Sequence, residues 1–195
     1  RVGAGREVVG RATVDLVPHD LPDDAVAGGC DWPAVAVLEV GTDWRSGYHE
    51  VVVRPGGGGA EAVGFLVVRS ATTSPDRPLL VLSTNTWNAY NDVGGSNLYT
   101  TFGRSVAATR VSFRRPMARG FLQRPDAPGQ RAAVVDAPDP DMSAHVGYMF
   151  EHDLSEWVGS AGWAGWELHF ARSAERAGYE LDYATNADLE AVPDL

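Results

Sequence analysis

Short apolar runs separated by turn residues fill the first third of the chain. Strand-like runs occur at Arg6–Val17, where apolar and polar positions alternate loosely, and at Ala34–Val40, Tyr48–Arg54 and Ala62–Arg69. Runs of this length predict β-strands, and the glycine run between the last two predicts a hairpin loop. We therefore expect residues 1–73 to form a β-rich segment that resembles a small antiparallel sandwich.

After a turn at Ser74–Arg77 the pattern changes to longer apolar runs and one helical repeat. The elements that it predicts are strand, strand, helix and strand, at Pro78–Ser83, Val106–Phe113, Trp163–Ala177 and Tyr179–Thr185. Continuous apolar strands and an intervening helix are typical of βαβ units with parallel strands. The proline-rich stretch Gly120–Asp141 predicts a long loop. Residues 74–195 are thus expected to form part of an α/β domain.

Composition and charge exclude several functions. The 195 residues hold 26 acidic and 16 basic side chains, a net charge of −10, which argues against nucleic-acid binding. All basic residues are arginine, so no lysine chemistry is available, and the lone Cys30 excludes a disulfide framework. With no signal peptide and no membrane-length apolar run, we expect a cytoplasmic protein that does not contact a membrane. Arg1 and Leu195 look like cut points within a longer protein.

The richest polar segment is TNTWNAYNDVGGSNLY, Thr84 to Tyr99, directly after the predicted buried strand. In open α/β sheets ligands bind beyond the carboxyl ends of the strands. Amide and phenol groups there offer hydrogen-bond donors, acceptors and metal ligands. The alternative is a glycine-rich loop with Asx turns, in which Trp87 fills the core.

Four runs resemble the large-subunit family of N,N-dimethylformamidase: TDWRSGYHEVVV, STNTWNAYNDVGGSNLY, VSFRRPMARGFL and WAGWELHFARSAERAGYELDYATNADLE. The most specific match is the core from Thr86 to Gly95. The resemblance implies a three-layer, flavodoxin-like glutamine-amidotransferase domain, preceded by β-rich structure and here truncated at its C-terminus. It also implies an amide hydrolase with a mononuclear iron held by two tyrosines and a glutamate.

The resemblance places Tyr90 as the first iron ligand and makes Tyr99 the candidate for the second, with Tyr148 as the other possibility. The glutamate of the family lies in a His-Asp-Glu-Tyr-Trp motif that this sequence does not contain. We therefore expect the carboxylate to come from a companion chain or a downstream segment, in an oligomer. The chain alone is expected to be inactive and could lack the iron.

Asparagines of the same segment are the candidate substrate-binding residues: Asn85, Asn88 and Asn91. The leading hypothesis is thus hydrolysis of the C–N bond of a small amide at a metal held by tyrosine and carboxylate oxygens. The alternative hypothesis is a non-catalytic binding or assembly module, which could bind carbohydrate through its tryptophans.

Other candidate sites are weaker. Cys30 lacks the strand-to-helix context of a nucleophile, and His145, Glu151, His152 and Asp153 are expected in a polar loop rather than at a metal. Four arginines are expected to pair with carboxylates of the chain: Arg110, Arg114, Arg115 and Arg119. Three tryptophans are expected to lie on a helix face that packs on the sheet: Trp157, Trp163 and Trp166. Three aspartates are expected in a solvated acidic loop: Asp136, Asp139 and Asp141.

Overall fold

The computed structural model describes residues 1–72, 74–99, 106–124 and 142–192, with the backbone alone at 106 and 142–146. Six strands pair two by two: β1 Gly47–Val53 with β2 Ala62–Val68, β3 Leu79–Leu82 with β6 Asp182–Thr185, and β4 Ser96–Asn97 with β5 Val106–Ala107. The helices are α1 Thr84–Tyr90, α2 Met142–Glu151, α3 Glu167–Arg176 and α4 Asn186–Ala191. No helix in these ranges is long and apolar enough to span a lipid bilayer.

Strands β1 and β2 form an antiparallel hairpin in full register, from Gly47 opposite Val68 to Val53 opposite Ala62. This confirms the strands predicted at Tyr48–Arg54 and Ala62–Arg69. The loop between them turns at Gly58, whose φ of 82° is a conformation that only glycine adopts readily.

The other two strand-like runs of the N-terminal segment are not strands. Residues 7–17 and Ala34–Val40 have no regular structure, and Val37 is 89% exposed. The two predictions were wrong because a strand needs a partner for its backbone groups, which an apolar composition does not supply. Within 1–72, the paired strands are therefore confined to the hairpin and to a single bridge between Val2 and Arg6.

Strands β3 and β6 pair in parallel, from Leu79 opposite Asp182 to Leu82 opposite Thr185. This confirms both predicted strands and their parallel direction. Strand β5 covers only the first two residues of the run predicted at Val106–Phe113, since the last backbone bond to β4 is the one from the Ala108 N–H. The division at residue 73 and the amidotransferase-like fold of the whole domain remain predictions.

The helix expected at Trp163–Ala177 is α3, which begins four residues later and is followed by Gly178 at a φ of 93°. By contrast, the segment from His145 to Asp153 was expected to be a loop and instead lies in α2 as far as Glu151. Its apolar residues recur at helical spacing, a pattern that outweighs the charged residues at its end. Helix α4 begins at a capping box between Thr185 and Asp188.

A buried aromatic group joins the hairpin to the rest of the molecule. Tyr48 of β1 stacks on Trp163, with ring centroids 4.1 Å apart, and on Phe65 of β2 at 5.6 Å. Phe65 in turn contacts Trp87 of α1, at 5.4 Å. The Ser46 hydroxyl donates to the Val68 carbonyl and accepts from the backbone N–H of Tyr183, so the hairpin is also tied to β6. This packing fixes α1 against the end of the β3–β6 pair.

Candidate metal site at the end of helix α1

The polar segment that follows β3 begins as a helix rather than a loop. Helix α1 takes up Thr84–Tyr90, and the turn that follows it contains Gly94 and Gly95, both with φ near 90°. Trp87 faces the core in the middle of the helix, as the alternative interpretation of the segment expected, and the Trp87 indole N–H donates to Glu167 Oε1 at 2.9 Å. Tyr90 is thereby placed at the C-terminal end of a helix whose orientation is fixed.

Tyr90 and Tyr99, which we call the tyrosine pair, lie face to face. Their ring centroids are 4.2 Å apart and their planes differ by 8°. Trp157 packs at an angle against both rings, at 5.1 Å from Tyr90 and 5.7 Å from Tyr99. The structure therefore brings together the two tyrosines that the sequence analysis chose as candidate metal ligands. Tyr148 lies on α2 with its ring against His152, at 4.5 Å.

The environment of the tyrosine pair favours the protonated phenol until a cation displaces the proton. Burial, and then the hydrogen-bonding interaction with the Tyr99 hydroxyl, raise the pKa of Tyr90 above its ordinary value of 10.0. A phenol must lose its proton to bind a metal, so a strongly polarising ion is needed here. Tyr99 is 41% exposed, which leaves the pair open to solvent on one side.

A buried amide connects the backbones of the two tyrosines. Asn97 is fully buried, and its Nδ2 donates to the Tyr90 carbonyl at 3.0 Å. Its Oδ1 accepts from the backbone N–H of Tyr99 at 2.8 Å. Sequence reasoning missed this residue, although it is the fourth asparagine of the segment, because its two backbone partners come together only in the folded chain.

A buried guanidinium holds the turn between the two tyrosines. Arg115 is 6% exposed and donates to five backbone carbonyls, those of Asn88, Asn91, Val93, Ser96 and Ser112. Pairing with a carboxylate was therefore the wrong prediction for Arg115, since the orphan carbonyls of the turn take its N–H groups. The same prediction is confirmed for Arg114, which binds Asp31 at 2.6 Å, and for Arg119, which binds Asp153 at 3.0 Å.

The three asparagines proposed to bind substrate lie in different surroundings. The side chain of Asn91 is buried and uses both its polar atoms, Nδ2 on the Pro116 carbonyl at 2.9 Å and Oδ1 on the Val93 N–H at 3.2 Å. The Oδ1 of Asn88 is buried without a hydrogen-bond partner. Asn85 faces solvent, and its backbone N–H donates to Asn186 Oδ1. Contact of these residues with substrate stays a prediction.

A carboxyl group links the turn after Tyr90 to the turn that carries Trp157. The Ser155 hydroxyl donates to Asp92 Oδ2 at 2.8 Å and accepts from the backbone N–H of Trp157 at 3.1 Å. Burial raises the pKa of the Asp92 carboxyl above its ordinary value. This link holds the Trp157 ring over the tyrosine pair, and sequence reasoning gave no sign of it because the two turns are more than 60 residues apart.

The remaining candidates of the sequence analysis stand apart from the tyrosine pair. Burial raises the pKa of the Cys30 thiol, which opposes formation of the reactive thiolate. Within the described part of the chain, no three His, Cys, Asp or Glu side chains gather as a metal-binding group. The side chain of His145, and all of Asp136, Asp139 and Asp141, lie outside the described residues.

Comparison with known proteins assigns the chain to a family. Residues 3–195 match the model of the family described as N,N-dimethylformamidase beta subunit-like, C-terminal. The chain belongs to this family, which confirms the resemblance seen in the sequence motifs. No curated protein and no solved structure matches the chain. The family description names an amide hydrolase and one subunit of it.

Proposed function

We propose that this chain supplies two tyrosinate ligands, from Tyr90 and Tyr99, to an iron centre that hydrolyses the C–N bond of a small amide. The observation that carries the proposal is the stacked tyrosine pair, whose rings are 4.2 Å apart at the end of α1. Family membership supports the reaction class. The position of the pair, close behind the carboxyl end of β3, is where α/β folds commonly bind ligands.

The donor set suits a ferric ion. Phenolate oxygens are hard ligands, and the stacking of the two rings at 4.2 Å would let both phenolates bind a common ion. Iron at this position would polarise the carbonyl of a bound amide and activate a water molecule for attack. The third ligand is proposed to be a carboxylate contributed by a companion chain or by a segment other than the described residues.

The residues of this chain would shape the substrate side of the centre. Trp157 covers part of both tyrosine rings and offers an apolar surface on which the alkyl groups of an N-alkylated amide can lie. The exposed side of Tyr99 leaves a path for a small molecule. Asn85, which faces solvent at the start of α1, is proposed to hydrogen-bond a polar ligand because its side chain is exposed.

Metal removal tests the proposal in the intact protein, purified with any subunit that accompanies it. We expect it to contain iron, to absorb visible light through tyrosinate-to-iron charge transfer and to release an amine from small N-alkylated formamides. Chelation should remove the colour and reduce the rate to background, because the ion that polarises the carbonyl is lost. Added iron should restore both, whereas Mg²⁺, which prefers near-octahedral sites rich in water, should not.

Full hydrolysis after complete removal of iron would contradict the proposed mechanism. A protein that lacks both iron and amide hydrolysis would favour the alternative, an assembly module. One observation favours that alternative: the unpaired run Ala34–Val40 exposes about half or more of each of four apolar side chains, Val35, Val37, Leu38 and Val40. Such a run is common where one protein surface covers another.

A further inference from the structure

We infer that Asn97 is a positioning residue for the tyrosine pair, which it holds together through the two backbones rather than through the rings. The expected effect of Asn97 on iron binding rests on the proposed function above. The expected effect of Asn97 on the geometry of the tyrosine pair in the metal-free protein is independent of that function. The two can therefore be tested separately.

Two stretches of chain run side by side at this point. Tyr90 is the last residue of α1, where backbone carbonyls lack a partner within the helix. Asn97 Nδ2 binds the Tyr90 carbonyl, while the backbone N–H of Leu98 binds the Ala89 carbonyl at 3.0 Å. Asn97 Oδ1 then accepts from the Tyr99 N–H. The side chain of Asn97 is thus the direct link between the backbones of the two tyrosines.

An amide is suited to this position because it offers one donor group and one acceptor on a short side chain. The Tyr90 carbonyl can only accept and the Tyr99 N–H can only donate, so the two neighbours determine which way the amide faces. A carboxylate would keep the bond to Tyr99 but would turn an oxygen toward the Tyr90 carbonyl oxygen. Because Asn97 is fully buried, water could not replace the lost bond.

The local fold has supports that do not use this side chain. The backbone of Asn97 pairs with Ala107 between β4 and β5, and its carbonyl accepts from the Ala108 N–H at 2.6 Å. Arg115 holds the preceding turn through the carbonyls of Val93 and Ser96. Replacing the Asn97 side chain should therefore leave the turn folded but allow the rings of Tyr90 and Tyr99 to move apart.

The test compares Asn97→Asp with Asn186→Asp in the intact protein. Both variants replace an amide nitrogen by a carboxyl oxygen, but Asn186 accepts from the Asn85 N–H through Oδ1, a bond that aspartate preserves. The first readout is brief photo-oxidation of the metal-free protein, which couples touching tyrosine rings into dityrosine, located by mass spectrometry. The second is iron affinity. Far-UV circular dichroism and thermal unfolding check that each variant is folded.

We expect Asn97→Asp to remain folded, to lose most of the dityrosine between Tyr90 and Tyr99, and to bind iron about 10–100-fold more weakly, as is usual when a group that orients a ligand is removed. Asn186→Asp should match the wild type within about twofold, well below that range. A folded Asn97→Asp variant with wild-type dityrosine yield would overturn the inference. If that variant does not fold, Asn97→Ser takes its place. A folded Asn97→Ser variant with wild-type dityrosine yield would likewise overturn the inference.

The dityrosine result also separates the two proposals. If the wild type binds no iron but Asn97→Asp still loses the cross-link, the positioning role stands and the iron centre fails. If iron binds to the wild type and to a folded Asn97→Asp variant with equal affinity, and the cross-link is unchanged, the iron centre stands and the positioning role fails.

Discussion

Replacement of Tyr90 by phenylalanine is expected to abolish iron binding and to lower amide hydrolysis by at least about 100-fold, since loss of a ligand costs no less than loss of the groups that orient it. Phenylalanine keeps the ring that stacks on Tyr99 and packs against Trp157. The variant should therefore stay folded and lose only an oxygen. Elemental analysis, visible absorption and the rate of amine release measure the effect.

The matched control is Tyr179→Phe, which also removes one phenol oxygen. Tyr179 is exposed and lies after α3, outside the tyrosine pair and its contacts. This variant should keep its iron, its colour and its rate. A Tyr90→Phe protein with full iron content would show that Tyr90 is not a ligand, whatever its activity.

The second large effect is expected on stability. Arg115→Leu removes a buried cation and leaves five backbone carbonyls without their donor. Burial lowers the pKa of Arg115, but the guanidinium remains charged at neutral pH. Hydrogen bonds to charged groups are worth about 1.5–3 kcal/mol each, although neighbouring bonds do not add fully. We expect the free energy of unfolding to fall by about 3–5 kcal/mol, as for other broken buried charge networks.

Urea denaturation of Arg115→Leu and of Arg114→Leu measures this difference. Arg114 is the adjacent residue, and its 2.6 Å ion pair with Asp31 is exposed on both sides. Exposed pairs contribute only about 0–1 kcal/mol, so the control should be nearly as stable as the wild type. If Arg115→Leu loses as little free energy of unfolding as Arg114→Leu, the carbonyls around Arg115 find other donors and the prediction is wrong.

The sequence was sufficient to find the tyrosine pair but not what holds it. Tyr90 lies in a motif specific enough to be recognised, and Tyr99 follows in the same polar segment. Asn97 and Arg115, by contrast, resemble many polar surface residues until the fold buries them. Their roles depend on backbone groups that come together only in three dimensions, and a one-dimensional pattern does not record such contacts.

The same reasoning explains which strands were predicted correctly. β1, β2, β3 and β6 each combine a suitable apolar run with a partner strand, and all four were recognised. Ala34–Val40 has the composition of a strand but no partner among the described residues. Helix α1 was missed because its four polar residues and its short length hide the helical spacing of Trp87 and Tyr90.

The central claim is that Tyr90 and Tyr99 bind the same iron ion. The most direct measurement is a crystal structure of the iron-loaded intact protein, with anomalous diffraction recorded on both sides of the iron absorption edge. We predict one iron peak at bonding distance, about 2 Å as for other metal–oxygen bonds in proteins, from both phenol oxygens. An iron peak elsewhere, with the two tyrosines still stacked and bound only to each other, would contradict the claim.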